Sequence, residues 1–322
     1  MIKILANDGI HPDGKTLLEE ANYQVDTEKV AQEDLHKVLP DYDVVIVRSA
    51  TKIRADLIDQ CPNLKVIARG GVGLDNIDVD YARSKGIEVM NTPIASSHSV
   101  AELVFAHIFS LVRFLHQSNR AMPSKGAQEF KALKKSYSSG TQLKGKTLGI
   151  IGFGRIGQEV ARIGMAIGMN ILAVDLKIDE ADIDFKISTN DQVRLSVRLE
   201  TVDFETVLQK SDFITLHVPF KKGGKPILGK EEIGKMKKGA YLINTSRGGT
   251  VDEEAMLDAL ETGQLAGAGL DVFDDEPKPK ERILQHSNIS MTPHTGASTL
   301  EAQANIGLEL ADKILTFFGV VI

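Results

Sequence analysis

The sequence predicts an α/β protein of two doubly wound parallel-sheet domains, one inserted in the other. Three observations carry this expectation. Short apolar runs alternate with helix-patterned segments in two separate stretches, as in parallel sheets covered on both faces. One long apolar helix, Val100 to Leu115, lies between those stretches. A last helix, Ser298 to Phe318, follows the second stretch and is expected to pack back on the first. A chain of 322 residues is also too long for one ordinary core.

In the first stretch, strands are expected near Lys3–Asn7, Asp43–Arg48, Leu64–Arg69 and Ile87–Asn91. Helical segments near Asp13–Ala21, Ala31–Leu39, Ala55–Gln60 and Val79–Lys85 separate them. The intervening helix repeats apolar residues at helical spacing: Val100, Leu103, Val104, Ile108, Leu111, Val112, Leu115. Ser99 and Glu102 read as a capping box at its start, so Glu102 is assigned to the cap rather than to a reaction. A helix at the boundary of two lobes suits a hinge and a dimer face. Met122 to Gly140 is polar and lysine-rich and carries no clear pattern. Strands of the second stretch fall near Thr147–Ile151, Asn170–Val174, Phe213–His217, Ala240–Asn244, Gly267–Val272 and Ile289–Thr292.

The second stretch opens with the most informative segment of the chain. Leu148 to Gly157 is an apolar run that breaks into glycines at Gly152, Gly154 and Gly157, and Asp175 ends the next apolar run, Ile171–Val174. Strand, glycine turn, helix, strand and acid in that order make a dinucleotide-binding Rossmann unit. Gly152 permits the tight turn, Gly154 lets the backbone approach a pyrophosphate, Gly157 lets the helix lie close to its strand, and Asp175 can accept from a ribose 2′-hydroxyl. The helix that starts near Arg155 aims its free N–H groups at the phosphates. NAD is therefore the expected cofactor.

Composition bounds the partners. Hydrophobic residues at 42% and charged residues at 25% describe a globular chain. The 38 basic and 44 acidic side chains give −6 without long like-charge runs, which argues against nucleic acid as the main partner. Cys61 is the only cysteine, so neither an internal disulfide nor a thiolate metal cage is expected. Met1–Leu5 enters a strand without a signal-peptide pattern, and no apolar run reaches spanning length. The expectation is a cytoplasmic protein that does not use a membrane.

Ligands of open parallel sheets bind outside the carboxyl ends of the strands. In the second stretch those ends carry His217, Asn244–Arg247, Asp271 with Glu276, and His294. Arg247 alone would more often be a solvated surface residue, and Glu276, before Pro277, could simply begin a turn. Gathered on one rim beside a dinucleotide, the set reads as a reaction centre. Nicotinamide chemistry needs a proton acceptor for a hydroxyl and a cation beside it for a carboxylate. Imidazole suits the first, arginine's planar fork the second, and a carboxylate behind the ring fixes its tautomer. Of eight histidines, His11, His36, His98 and His286 sit in loops or helix ends, and His107 and His116 belong to the long helix. Only His217 and His294 end strands here; His294 is preferred because its strand follows the Glu276 segment. A second glycine turn, Arg69-Gly70-Gly71-Val72-Gly73, follows a strand of the first stretch, where its successive N–H groups could form an anion nest beside Arg69.

Four blocks then resemble the D-isomer-specific 2-hydroxyacid dehydrogenases: Gly152–Gly157, Asn244–Gly249, Leu270–Pro277 and Pro293–Ser298. The likeness runs over nearly the whole chain. It implies a Rossmann NAD-binding domain, residues 97–294, inserted in a flavodoxin-like substrate domain, residues 1–96 and 295–322. It implies Arg247, Glu276 and His294 as the catalytic set, Arg155 and Ile156 at the pyrophosphate, Asp175 at the adenosine ribose, and Asp271 at the nicotinamide end. Thr245, Ser246 and the Thr295-Gly296-Ala297 turn would line the cofactor cleft, and Val72, Gly73, His217 and Val218 match further cofactor-contact positions. Arg48, Ser49, Arg69, Gly70 and Gly71, with Arg247 and His294, fall where the family receives substrate.

Val47–Lys52, Ile67–Ile77 and Val89–Pro93 carry a narrower likeness, to members that oxidise D-3-phosphoglycerate to 3-phosphohydroxypyruvate at the start of L-serine synthesis. The expected partner is thus a phosphorylated 2-hydroxy acid, and the family suggests a homodimer, with Lys134 and Lys135 loosely matching basic residues that reach the other subunit. Alternatives are a glyoxylate or hydroxypyruvate reductase and, from another class, a cofactor-sensing protein like the corepressors that share this fold. Three departures stand out. Lys221–Lys225 replaces the usual loop after His217-Val-Pro; Ile187–Leu199 is longer and more charged than the family pattern; and a chain ending at Ile322 is expected to lack the regulatory domain of longer members.

Overall fold

Side chains alternate across each strand, and that alternation builds the first sheet from the inside. The computed structural model describes residues 1–186, 194–220 and 223–320. They divide into two units, Met1–Ser97 with Ala297–Ile322, and His98–Gly296. The first unit runs β1 (Lys3–Ala6), α1 (Pro12–Glu20), β2 (Gln24–Asp26), α2 (Leu35–Val38), β3 (Val44–Val47), α3 (Ala55–Ile58), β4 (Val66–Arg69), α4 (Val79–Ser84) and β5 (Glu88–Asn91). The strands are parallel in the order β2-β1-β3-β4-β5. Ile4, Ala6, Val44, Ile46, Val66 and Ala68 face α1 and the C-terminal helix (Leu300–Phe317), meeting Leu18, Ile306, Leu310 and Ile314. Leu5, Val45, Val47, Ile67 and Val89 face the other way, onto Leu35, Leu39, Leu57 and Ala82. Strands buried on both faces must be apolar at every position, which is why they read as continuous runs. The strand order reverses between β1 and β3, which opens a crevice above their carboxyl ends.

Two expectations change in this unit. The helix read at Ala31–Leu39 is a 3₁₀ turn, Gln32–Asp34, followed by the single turn of α2. The edge strand β2 has one buried residue among three, too little apolar signal to announce it.

In the second unit the long apolar helix is α5 (Ser97–Val112), which stops at Phe114 in the left-handed region (φ 56°). A second helix, α6 (Leu115–Ser136), leaves at 57° to it. Ser99 lies inside α5 rather than at its N-cap, and the Glu102 carboxylate lies 3.2 Å from His98. The patternless segment from Met122 is helical as far as Ser136 apart from a kink at Glu129 (φ −116°, ψ 20°), and Leu133 is its only buried residue, so it lacks the apolar stripe that reveals a helix. Among the described residues no single helix is long and apolar enough to cross a membrane.

The chain continues through β6 (Thr147–Ile151), α7 (Arg155–Ala166), β7 (Asn170–Val174), β8 (Glu180–Lys186), β9 (Arg194–Glu200), α8 (Phe204–Lys210) and β10 (Phe213–Leu216). Then come α9 (Lys230–Lys235), β11 (Ala240–Asn244), α10 (Glu253–Glu261), β12 (Leu265–Leu270), α11 (Glu281–Leu284) and β13 (Ile289–Met291). Six strands form a parallel sheet in the order β13-β12-β11-β10-β6-β7, reversing between β6 and β10. An antiparallel hairpin, β8–β9, joins this unit beyond the strands expected from the sequence. Ala181, Ile183 and Phe185 pair with Leu199, Val197 and Leu195, and Ile183 is buried in the α7 side of the core. This hairpin accounts for part of the charged Ile187–Leu199 insertion; residues 187–193, like Lys221 and Lys222 of the lysine loop, lie outside the described residues.

Candidate active site

The glycine turn follows β6. Gly152 has φ +94°, and a Cβ there would overlap the carbonyl of His217 and the Val218 side chain. A Cβ on Gly157 would overlap the carbonyl of Gly152, so only glycine lets α7 sit this close to its strand. Gly154 differs: nothing lies within 4 Å of where its Cβ would be, so open space stands above the turn. Gly154 also caps α7 without a side-chain hydrogen bond, leaving the first-turn N–H groups available to an outside acceptor. Open space over a glycine and an uncapped helix N-terminus fit a dinucleotide pyrophosphate. Asp175 does more than the sequence reading gave it. Its carboxylate accepts from the N–H groups of Phe153 at 2.7 Å, Lys177 at 2.9 Å and Ile178 at 3.3 Å, tying the end of β7 to the glycine turn. Two carboxylate oxygens offer about four acceptor sites, so capacity for ribose hydroxyls remains.

The next strand ends organise themselves through polar side chains. Asn244, the last residue of β11, accepts from the N–H of Ser246 at 3.1 Å and its hydroxyl at 2.8 Å. Its amide donates to the carbonyl of Arg247 at 3.0 Å and the Thr250 hydroxyl at 2.9 Å. This asparagine-centred turn presents Arg247, and Asn-x-Ser after a strand was its sequence signal. Asp271, just past β12, is 1% exposed. It accepts from the Thr292 hydroxyl at 2.6 Å and from the N–H groups of Thr295 and Gly296, both at 2.8 Å. Those donors bracket His294, which sits in the left-handed region at φ 54°. A β-carbon in that region costs about 1–2 kcal/mol, so the turn must be held from outside, and Asp271 holds it.

His294 Nδ1 lies 2.9 Å from Glu276 Oε2, while Glu276 Oε1 accepts from the N–H of Phe273 at 3.0 Å. Burial pushes the Glu276 carboxyl up, but His294, the Phe273 N–H and Arg247 outweigh it and hold it below the usual carboxylate range. An ionised carboxylate thus backs one edge of a half-exposed imidazole, leaving Nε2 on the opposite edge. The other strand-end histidine is unlike it. Burial pushes His217 down to about 3, its Nδ1 is sealed from solvent, and its Nε2 shares a hydrogen bond with Thr215 Oγ1 at 3.0 Å. A ring that stays neutral across the working pH range cannot store the proton that an acid–base catalyst must hold.

In the first unit Arg48 follows β3, and its N–H donates to Asp8 at 2.7 Å. Its guanidinium has no hydrogen-bond or ion-pair partner among the described residues. It lines a cavity of about 310 Å³ together with Asp8, Gly9, His11, Gly70 and Gln303. Ser49 is exposed. The anion nest expected at the second glycine turn is not available from Gly70 and Gly71. Gly70 N–H donates to the carbonyl of Val47 and Gly71 N–H to the Thr92 hydroxyl, both at 2.8 Å. Gly71, at φ +139°, instead makes room for the Arg69 guanidinium, which a Cβ there would overlap.

These features meet a known pattern. Residues 105–296 match the NAD binding domain of the D-isomer specific 2-hydroxyacid dehydrogenases. The chain is 43% identical to the hydroxypyruvate reductase of Thermotoga maritima over 99% of both chains. It is 41% identical to the D-3-phosphoglycerate dehydrogenase of Methanocaldococcus jannaschii, over 98% of this chain but 57% of that one, so it spans little more than half of that relative. An NAD-dependent formate dehydrogenase of Staphylococcus aureus, solved with NAD, superposes with a TM-score of 0.76 at 29% identity over 99% of this chain and 95% of that one. The fold and the glycine-turn site define an NAD-linked oxidoreductase. The chain belongs to the D-isomer specific 2-hydroxyacid dehydrogenases.

Proposed function

We propose that this protein oxidises D-3-phosphoglycerate to 3-phosphohydroxypyruvate with NAD, the step that opens L-serine synthesis. The observation that carries the substrate is Arg48, a guanidinium without a partner among the described residues, lining a cavity at the strand-order reversal of the first unit. A phosphate bears nearly two charges at neutral pH and suits such a cation, which a small unphosphorylated acid would leave unpaired. In this reading residues 1–96 and 295–322 receive substrate and residues 97–294 hold NAD.

The chemistry follows from the second unit. Arg247 grips the substrate carboxylate in a planar fork and orients the hydroxyl-bearing carbon. His294 takes the hydroxyl proton at Nε2, and the Glu276 carboxylate stabilises the imidazolium through Nδ1. Bound NAD, held by the Gly152–Gly157 turn, the α7 N-terminus with Arg155 and Ile156, and Asp175, supplies the two-electron acceptor. Asp271 serves the nicotinamide end by fixing the 292–296 turn, since its carboxylate is committed there. A homodimer is part of the reading: α6 leaves Leu115, Met122 and Phe130 exposed at 52%, 44% and 59%, with Lys134 and Lys135 near its end.

A second reading is reduction of hydroxypyruvate or glyoxylate; the hydroxypyruvate reductase of Thermotoga maritima, matched over 99% of its length, favours the former. Arg48→Ala separates the two. Loss of one charge-assisted contact costs about 1.5–3 kcal/mol, roughly 10- to 150-fold in kcat/KM. That loss should fall on 3-phosphoglycerate and spare unphosphorylated glycerate. Equal losses on both, or a wild-type enzyme faster on hydroxypyruvate than on phosphohydroxypyruvate, would move the assignment to the reductase.

A further inference from the structure

Glu253 begins α10, one residue after its N-cap Asp252. An acid in a first turn ordinarily reaches into water, where the helix dipole favours it. Glu253 is instead 6% exposed, and burial, with the nearby Asp274 carboxylate adding to it, pushes its carboxyl above the usual range. A buried carboxylate is costly unless its oxygens find partners. Its Oε1 accepts from the Asp274 N–H at 2.9 Å. Its Oε2 lies 3.1 Å from Lys280 Nζ, an ion pair without hydrogen-bond alignment, and Lys280 also reaches Glu254 at 3.2 Å.

Asp274 and Lys280 flank Glu276 in the chain, and of the two contacts the Asp274 amide is the hydrogen-bonded one, so that amide is where Glu253 holds the loop. The consecutive amides of that loop are divided between two acids. Phe273 N–H goes to Glu276 at 3.0 Å, and Asp274 N–H goes to Glu253. Holding the Asp274 amide fixes the Phe273–Asp274 peptide plane, the one next to the plane that carries the Phe273 N–H, and so limits how far the backbone can shift where Glu276 is held. The same loop rests on the Arg247 turn: Asp274 accepts from Gly249 N–H at 2.6 Å, and a Cβ on Gly248 would overlap the carbonyl of Phe273. As Asp271 holds the turn bearing His294, so a second buried carboxylate holds the loop bearing its partner.

We propose that Glu253 is a positioning residue that sets Glu276 against His294 through the Asp274 amide. The proposal rests on the reading of Glu276 and His294 as the acid–base pair. Reach, rather than charge, is what the role requires. Glu253→Gln keeps an acceptor at the position of Oε1 and discards the charge; Glu253→Asp keeps the charge and cannot reach.

The test is kcat for NAD-dependent oxidation of 3-phosphoglycerate by the full-length enzyme, for both variants, in the wild-type and Glu276→Gln backgrounds, with folding checked by circular dichroism. Glu253→Asp is expected to lower kcat about tenfold with KM for NAD within twofold, and Glu253→Gln by no more than about threefold. In the Glu276→Gln background the Asp effect should shrink below twofold, because residues that act as a unit are not additive. Gln worse than Asp, or an Asp effect of the same size in both backgrounds, overturns the positioning role. Should Glu253→Asp not fold, a tenfold loss in folded Glu253→Gln overturns it equally. Full activity of Glu276→Gln alone would instead refute the acid–base reading beneath it.

Discussion

Acid should loosen this protein through His107, and the size of the effect follows from where the ring sits. His107 is 2% exposed on α5, with Nδ1 2.9 Å from the Ser290 hydroxyl and Nε2 3.1 Å from that of Thr292. Burial pushes it down to about 4; the Asp271 charge opposes this weakly, and His116 adds to it. In the unfolded chain a histidine titrates near ~6.5. As pH falls from about 6.5 towards about 4 the unfolded chain therefore binds a proton that the folded protein refuses, and stability falls with it. The stabilisation is complete above the unfolded value and lost as pH drops through the folded one. The drop from ~6.5 to about 4 corresponds to about 3 kcal/mol in all, of which about 2 kcal/mol is lost by pH 5.

The perturbation is His107→Gln, which cannot take the proton in either state. Urea unfolding of both proteins at pH 7.5, 6 and 5 gives the difference in stability at each pH, and ionisations common to both cancel. Wild type should lose about 2 kcal/mol relative to the variant by pH 5. A difference that does not change with pH would refute the reasoning. The effect reaches the site because Thr292, which meets His107, also donates to Asp271, the acid that holds the His294 turn.

Three further outcomes are expected. His294→Ala should cost about 10²–10⁴-fold in turnover while NADH still binds, as measured by fluorescence titration, and His217→Ala should cost less; the reverse order would transfer the acid–base role to His217. Asp175→Ala should weaken NAD and narrow its advantage over NADP, since a carboxylate repels the 2′-phosphate; it should also lose about 1–3 kcal/mol of stability because three backbone N–H groups lose their acceptor. Equal kcat/KM with both cofactors in the wild type would count against that role for Asp175. Gly157→Ala should lower stability by about 1–3 kcal/mol and NAD affinity with it, because the added methyl overlaps the Gly152 carbonyl; unchanged thermal unfolding would show that α7 can retreat without cost.

The chain announces on its own whatever depends on neighbours along it. Strands buried on both faces are continuous apolar runs, so β3, β4, β6 and β10 could be read within a residue or two. The glycine turn could be read because its three glycines answer to local backbone demands, and the placement of Arg247, Glu276 and His294 because each follows a strand whose end is legible. Where a signal was weak or mixed the sequence was silent: α6 buries one residue, and the β8–β9 alternation lay inside a charged stretch.

Tertiary structure alone decided what depends on residues distant in the chain. Burial separates His217, held neutral, from His294, half-exposed beside Glu276, though both end strands. The Gly70 and Gly71 amides are spent on Val47 and Thr92, so a turn that looked like an anion nest does not offer them. Asp271, Glu253 and Asn244 show in sequence only as polar residues; folding makes them the supports of the segments that carry His294, Glu276 and Arg247. A side chain's type is fixed by its codon, but its desolvation and its remaining hydrogen-bond capacity are set only when the fold brings its partners to it.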